Sequence, residues 1–143
     1  MTVWLREVEP GDLQAFYEQQ ADPAAVEMAA FPARERDSHM AHWERVLADE
    51  TVVARTVMAD GVVAGHVVSF LRGGVREVGY WIERDLWGRG IASAALEQFL
   101  LLETRRPLHA GVAAHNAGSL RVLARCGFAA VGRDGDHVVL CLD

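Results

Sequence analysis

Residues 79–97 read GYWIERDLWGRGIASAALE: an apolar run with two aromatics, a charged step, two glycines bracketing an arginine, then small apolar residues at helical spacing. A strand that feeds a glycine-rich turn into a helix presents several backbone N–H groups in one concave loop, and the helix dipole adds partial positive charge there. Such a loop suits an anion. Gly88 and Gly90 carry no Cβ to hold a phosphate off the main chain, and Ala92 keeps the first helical turn slim. The same glycines also suit a plain tight corner. The loop contains no lysine and the stretch has no GxGxxG, which speaks against a Walker-type or Rossmann nucleotide site.

Upstream of the loop, TVVARTVMA (51–59) and VVAGHVVSFL (62–71) are β-rich runs separated by Asp60-Gly61, the strongest short hairpin signal. A further turn at Gly73-Gly74 leads into VREVGYWI (75–82), so 51–82 reads as a three-strand antiparallel meander. Beyond the loop, Ala95, Leu96, Phe99 and Leu100 follow the spacing of a buried helix face that ends at Arg105, Arg106 and Pro107. A strand is expected near 108–114, and a helix from about Asn116 to Cys126, stopped by Gly127. Two terminal strands near 128–132 and 137–142 turn at Asp134-Gly135. Before the meander, TVWLREV (2–8) is a strand, and Pro10-Gly11-Asp12 starts a helix with Leu13, Phe16 and Tyr17 on one stripe. A broken helical stretch runs from Asp22-Pro23 to Pro32, and another helix from about Ser38 to Asp49 shows Met40, Trp43 and Leu47 on one face. The order β, α, α, βββ, α, β, α, ββ does not alternate as a doubly wound sheet does; an α/β (α+β) fold with a mixed sheet and a central meander fits it.

At 143 residues, 51% hydrophobic and with four tryptophans, the chain suits a single domain, 1–143, with a sizeable core. A formal net charge of -6 and the lack of a basic cluster disfavour nucleic acid as a partner. Cys126 and Cys141 form neither a CxxC nor a zinc set, so no metal is expected; they read as buried thiols in a reducing, cytoplasmic setting. No apolar run approaches a membrane span, so no membrane partner is expected either.

The segment 79–100, together with HNAGSLRVLARCGFAAVG at 115–132, resembles the GNAT superfamily of acyl-coenzyme A dependent N-acetyltransferases, more narrowly the ribosomal-protein-alanine acetyltransferase-like branch. The superfamily signature of Gln or Arg, two residues, Gly, one residue, then Gly or Ala falls on Trp87, Gly88, Arg89, Gly90, Ile91 and Ala92, with Trp87 departing at the first position. The resemblance implies a GNAT-type, mostly antiparallel sheet with one splayed parallel pair and about four flanking helices. It implies acetyl-coenzyme A as cofactor, its pyrophosphate on the amides of 87–92 and its pantetheine along the strand edge near Tyr80, Trp81 and Ile82. Asn116 and Ser119 match the branch pattern that opens the last helix. Asn116 would contact the cofactor, though it equally suits an N-cap. Ser119 would lie near the sulfur and help protonate the thiolate. Where many superfamily members carry a tyrosine acid, four residues before Gly-Phe, this chain has Leu123.

Attack on a thioester needs a neutral amine. A protein α-amine is roughly 10% neutral at pH 7, a lysine amine less than about 0.1%, so an α-amine needs only a mild base. Glu77 and Glu83, which share strand parity with Trp81, are the candidates, Glu77 also matching an acid that recurs in this branch; His66 is a third. His39, His42, His109 and His115 show no pairing with a serine or cysteine of the kind a covalent mechanism would need, so direct transfer in a ternary complex is the simpler chemistry. Arg89 could touch phosphate, and Arg121 and Arg125 a more distant one; Trp4, Phe31 and Trp43 read as core or groove wall. The expected acceptor is a peptide or protein N-terminal amine or a small-molecule amine such as an aminoglycoside or polyamine. The alternative is an acyl-coenzyme A binding module without catalysis. A monomer or homodimer is expected.

Overall fold

A computed structural model describes residues 1–143. Strand β1 (Val3–Glu7) precedes three helices, α1 (Asp12–Ala21), α2 (Pro23–Ala29) and α3 (Arg36–Ala48). The meander follows as β2 (Val53–Ala59), β3 (Val62–Arg72) and β4 (Val75–Ile82). After a 3₁₀ turn at Arg84–Leu86 come α4 (Ile91–Leu102), β5 (Leu108–Ala113), α5 (Ala117–Arg125), β6 (Ala129–Asp134) and β7 (His137–Leu142). The seven strands form one sheet in the order β1-β2-β3-β4-β5-β7-β6, antiparallel except for β4 and β5. The flanking helices number five. No helix is long and apolar enough to cross a membrane.

Strand alternation divides the core between the two sheet faces. On one face Val57, Val67, Val78, Ile82 and Leu108 pack with Ile91, Ala95, Leu96 and Phe99 of α4 and Leu123 of α5. On the other, His66 of β3 meets Phe16 of α1 and Trp43 of α3 at ring separations of 4.9 and 4.8 Å. Asp12 knots three elements together: it accepts from both Arg6 Nη atoms (2.6 and 2.8 Å), from Thr56 Oγ1 (2.7 Å) and from the Glu9 amide (2.9 Å). Burial works to raise its pKa, but these donors outweigh it and hold the carboxyl at about 2.

Two expectations change. The buried face of α3 is His39 and Trp43, while Leu47 is 46% exposed; His39 is drawn in by a 3.0 Å hydrogen bond between its Nε2 and the Leu13 carbonyl. Cys126 and Cys141 are half-buried rather than buried: Cys126 is the C-cap of α5, and Cys141 stands one residue from the end of β7.

Candidate active site

The parallel contact between β4 and β5 consists of one registered pair, Glu77 with His109. Past that vertex the strands part, while β4 stays paired with β3 as far as Ile82. The Glu83 amide donates to Ala64 of β3 (2.8 Å), and main-chain polarity alternates along an antiparallel strand. Trp81 therefore turns its N–H and C=O toward β3, and Tyr80 and Ile82 turn theirs into the gap. The Ile82 carbonyl is occupied by the Trp87 indole (2.8 Å). What remains open in the gap is the Tyr80 amide and carbonyl and the Ile82 amide, an edge one peptide could pair with.

At the foot of the gap the chain makes its turn into α4. Gly88 and Gly90 both take left-handed backbone, with φ of 77° and 78°. A Cβ built on either meets no atom within 4 Å, so the space above the loop is open. Gly90 is the N-cap of α4 and gives it no side-chain cap. Ile91, 2% exposed, anchors the first turn in the core, leaving the amides around it without helical acceptors. The Trp87 amide is not among them, since it donates to the Arg84 carbonyl (3.1 Å). The open run thus begins at Gly88. Arg89 is exposed beside it. Above the loop, Trp87, His115 and the α2 residues Ala24, Glu27 and Met28 line a cleft of about 440 Å³, closed on one side by a 2.9 Å bond between His115 Nε2 and the Glu27 carbonyl.

A profile of the acetyltransferase (GNAT) domain family matches residues 2–129. The chain belongs to the GNAT acetyltransferase family. As a member of it, the chain is an acyltransferase of the acetyl-coenzyme A dependent N-acetyltransferase class. Solved structures agree on the fold. A domain from Methanocaldococcus jannaschii DSM 2661 superposes with a TM-score of 0.81 at 16% identity, covering 99% of this chain and 97% of that one. A spermidine N-acetyltransferase from Vibrio cholerae, in complex with coenzyme A and spermine, gives 0.79 at 17% identity over 97% and 92%. An aminoglycoside acetyltransferase in complex with coenzyme A gives 0.78 at 19% identity over 98% and 93%. No curated protein matches the sequence.

The remaining candidates of this GNAT acetyltransferase lie on both sides of β4. On the α5 side, Asn116 is the N-cap and accepts from the Ser119 amide (3.2 Å). Ser119 Oγ is hydrogen-bonded to the Tyr80 hydroxyl. Burial pushes the Tyr80 phenol up to about 12, with Ser119 opposing the shift. Arg121 and Arg125 are exposed on α5. On the α1 side, Glu77 accepts from Arg72 Nε (2.8 Å) and Nη2 (2.7 Å), which clamp one of its oxygens each. Trp81 donates its indole N–H to the Gln19 carbonyl (3.2 Å), pinning the end of α1 to β4. Beside it, Glu83 lines an acidic cleft of about 350 Å³ with Glu18, Gln19, Asp22 and Asp85. Only Arg84 offsets that charge, paired with Asp22 at 2.6 Å. His66 lies in the aromatic cluster with its pKa lowered to about 3 by burial and by His39, His42 and Arg34, too weak a base for the reaction. Trp43 is core, whereas Trp4 and Phe31 are 43% and 48% exposed.

Sequence reading missed the Tyr80 hydroxyl and the acidic cleft. The first had a signal: Tyr80 shares parity with the core residues Val78 and Ile82, so a polar tip on that face needs a partner. The second joins residues from α1 and the end of β4, more than sixty positions apart, and has no local signature.

Proposed function

We propose that this chain transfers an acetyl group from acetyl-coenzyme A to a primary amine by direct attack in a ternary complex. The observation that carries the proposal is the gap between β4 and β5, opening after a single pair directly above a loop of left-handed glycines at a helix N-terminus. The residues fit the cofactor: Gly88 to Ala92 would hold the pyrophosphate with free amides, and the open edge at Tyr80 and Ile82 would pair with the pantetheine amides. Trp81, between them, would wall the acceptor side, Trp87 would cover the loop, and Arg89 would add charge near the phosphates. Asn116 would fix the start of α5 beside the cofactor, and Ser119 would face the sulfur. When bound, acetyl-coenzyme A supplies the acyl thioester.

The acceptor reaches β4 from the α1 face. Its ammonium must lose a proton, and Glu83 is the better placed of the two carboxylates to take it: it lies one residue past Ile82, while Glu77 sits at the vertex with both oxygens bonded to Arg72. Glu77 would then act through water. Cys126 and Cys141 both have raised pKa values, chiefly from burial, so neither is an activated nucleophile, which supports transfer without a covalent enzyme intermediate.

A peptide or protein N-terminal amine is the acceptor the branch resemblance implies, and its low pKa asks least of the base. The acidic cleft beside Glu83 favours a second reading, a small amine with several positive charges. Thiol release from acetyl-coenzyme A with peptides, polyamines and aminoglycosides decides between them. Saturable cofactor binding without turnover on any amine would mean a binding module instead.

A further inference from the structure

Tyr80 stands out because it serves the sheet and the helix at once. Its main chain opens into the gap, and its side chain crosses to α5, where its hydroxyl contacts Ser119 Oγ and, at 3.4 Å, the Ser119 carbonyl. We propose that Tyr80 is a positioning residue for acetyl transfer: its hydroxyl donates to Ser119 Oγ and so leaves the Ser119 proton free to point at the departing sulfur. The inference rests on the transferase reading above.

The direction of the hydrogen bond follows from chemistry. A phenol half-buried on an apolar face stays protonated throughout the working pH range, and desolvation holds this one at about 12. Its proton needs an acceptor, and of the two within reach Ser119 Oγ is the nearer, the Ser119 carbonyl at 3.4 Å lying beyond the usual O–H···O range. A serine hydroxyl has a single proton, which an undirected side chain on the first turn of a helix can turn to a backbone carbonyl. With Oγ already accepting from Tyr80, that proton is steered away from the phenol. The backbone of Ser119 is fixed as well, by its amide on Asn116 Oδ1 (3.2 Å). One turn further along the same stripe of α5, Leu123 is a core side chain with no acidic proton, so no acid comes from there.

In the transfer step the C–N bond forms as the C–S bond breaks, and the electron pair of that bond goes to sulfur. The Ser119 hydroxyl stabilises the thiolate by donating to it, and the thiolate takes its proton from solvent on release. The surplus proton of the amine leaves to Glu83 or water. Tyr80 keeps its own proton throughout, because its phenolate would be uncovered in an apolar setting.

The test has two arms. Without any ligand, the chain has two tyrosines, Tyr17 and Tyr80. Selective ¹³Cζ labelling therefore gives two signals, and Ser119→Ala is expected to shift that of Tyr80 and leave that of Tyr17 in place. A Tyr80 signal indifferent to Ser119→Ala overturns the hydrogen bond and the proposal. In the second arm, Tyr80→Phe keeps the ring, and Tyr80→Phe, Ser119→Ala and the double variant are compared in turnover. Each single change is expected to lower kcat by about tenfold with KM for acetyl-coenzyme A within about twofold, and the double change to lower it no further. A double variant slower by the product of the two, or a Tyr80→Phe chain as fast as its parent, overturns the role of Tyr80 alone. A parent inactive toward every amine overturns the transferase reading and the inference with it.

Discussion

Replacing Gly90 by alanine separates the loop's conformational role from its proposed grip on phosphate. Gly90 sits at φ 78°, ψ 7°, a conformation that an L-residue adopts at a cost of roughly 1–2 kcal/mol. The new Cβ would meet no atom within 4 Å, so strain of the backbone is the whole cost to the free protein. An unfolding entropy of about 2.1 cal/mol/K per residue over 143 residues is about 0.3 kcal/mol/K, which converts that cost to a Tm lower by about 3–7 °C. If a phosphate rests on the neighbouring amides, the methyl also pushes it away. Losing one charge-assisted hydrogen bond is worth about 1.5–3 kcal/mol, or a rise of about 10- to 150-fold in Kd for coenzyme A. Gly74 provides the control: it has φ 80° and equally open space, but lies in the hairpin between β3 and β4. Calorimetric melting and titration of both variants should show similar losses of Tm and weakened coenzyme A binding only for Gly90→Ala. Equal affinity in parent, Gly74→Ala and Gly90→Ala would refute the phosphate loop.

Three further outcomes are expected. His66, with its pKa near 3 in the folded chain against about 6.5 when unfolded, takes up its proton first in the unfolded state, so stability is complete above pH 6.5 and falls below it; at pH 5 this group alone removes about 2 kcal/mol, and urea melts of His66→Leu should show a shallower acid limb than the parent. Glu83→Gln should lower kcat/KM by about tenfold or more between pH 6 and 8, and Glu77→Gln by less; the reverse order in a pH-rate series would move the base to Glu77. Gly65→Ala would place a Cβ 1.8 Å from the Trp81 carbonyl oxygen on the neighbouring strand, and by forcing β3 and β4 apart should destabilise the chain by about 1–3 kcal/mol in denaturant melts and weaken cofactor binding as the edge at Tyr80 and Ile82 shifts.

What the sequence disclosed is what is encoded locally. The meander was readable because Asp60-Gly61 and Gly73-Gly74 must take left-handed backbone, and all four residues do. The glycine loop and the cap at Asn116 were readable for the same reason: each is a turn or helix start specified within a few residues. The partners of the polar groups were not. Asp12 passed as a helix-start residue, since Thr56, which holds it in the core, is 44 positions away. Tyr80 and Ser119 are 39 apart. On α3, hydrophobic spacing favoured Leu47, but the carbonyl of Leu13 on another helix decided which face turned inward. Glu77 read as a candidate base without its Arg72 partner, because Arg72 reaches it only across the folded hairpin.

The central claim is that the amides after Trp87 and the free edge of β4 hold coenzyme A together. Amide chemical shifts followed while coenzyme A is added test it most directly. The largest changes are predicted at residues 88–93 and at Tyr80 and Ile82, with the hairpin at Asp60-Gly61 unmoved. Saturating shifts centred on another surface, or none at millimolar coenzyme A, would contradict it.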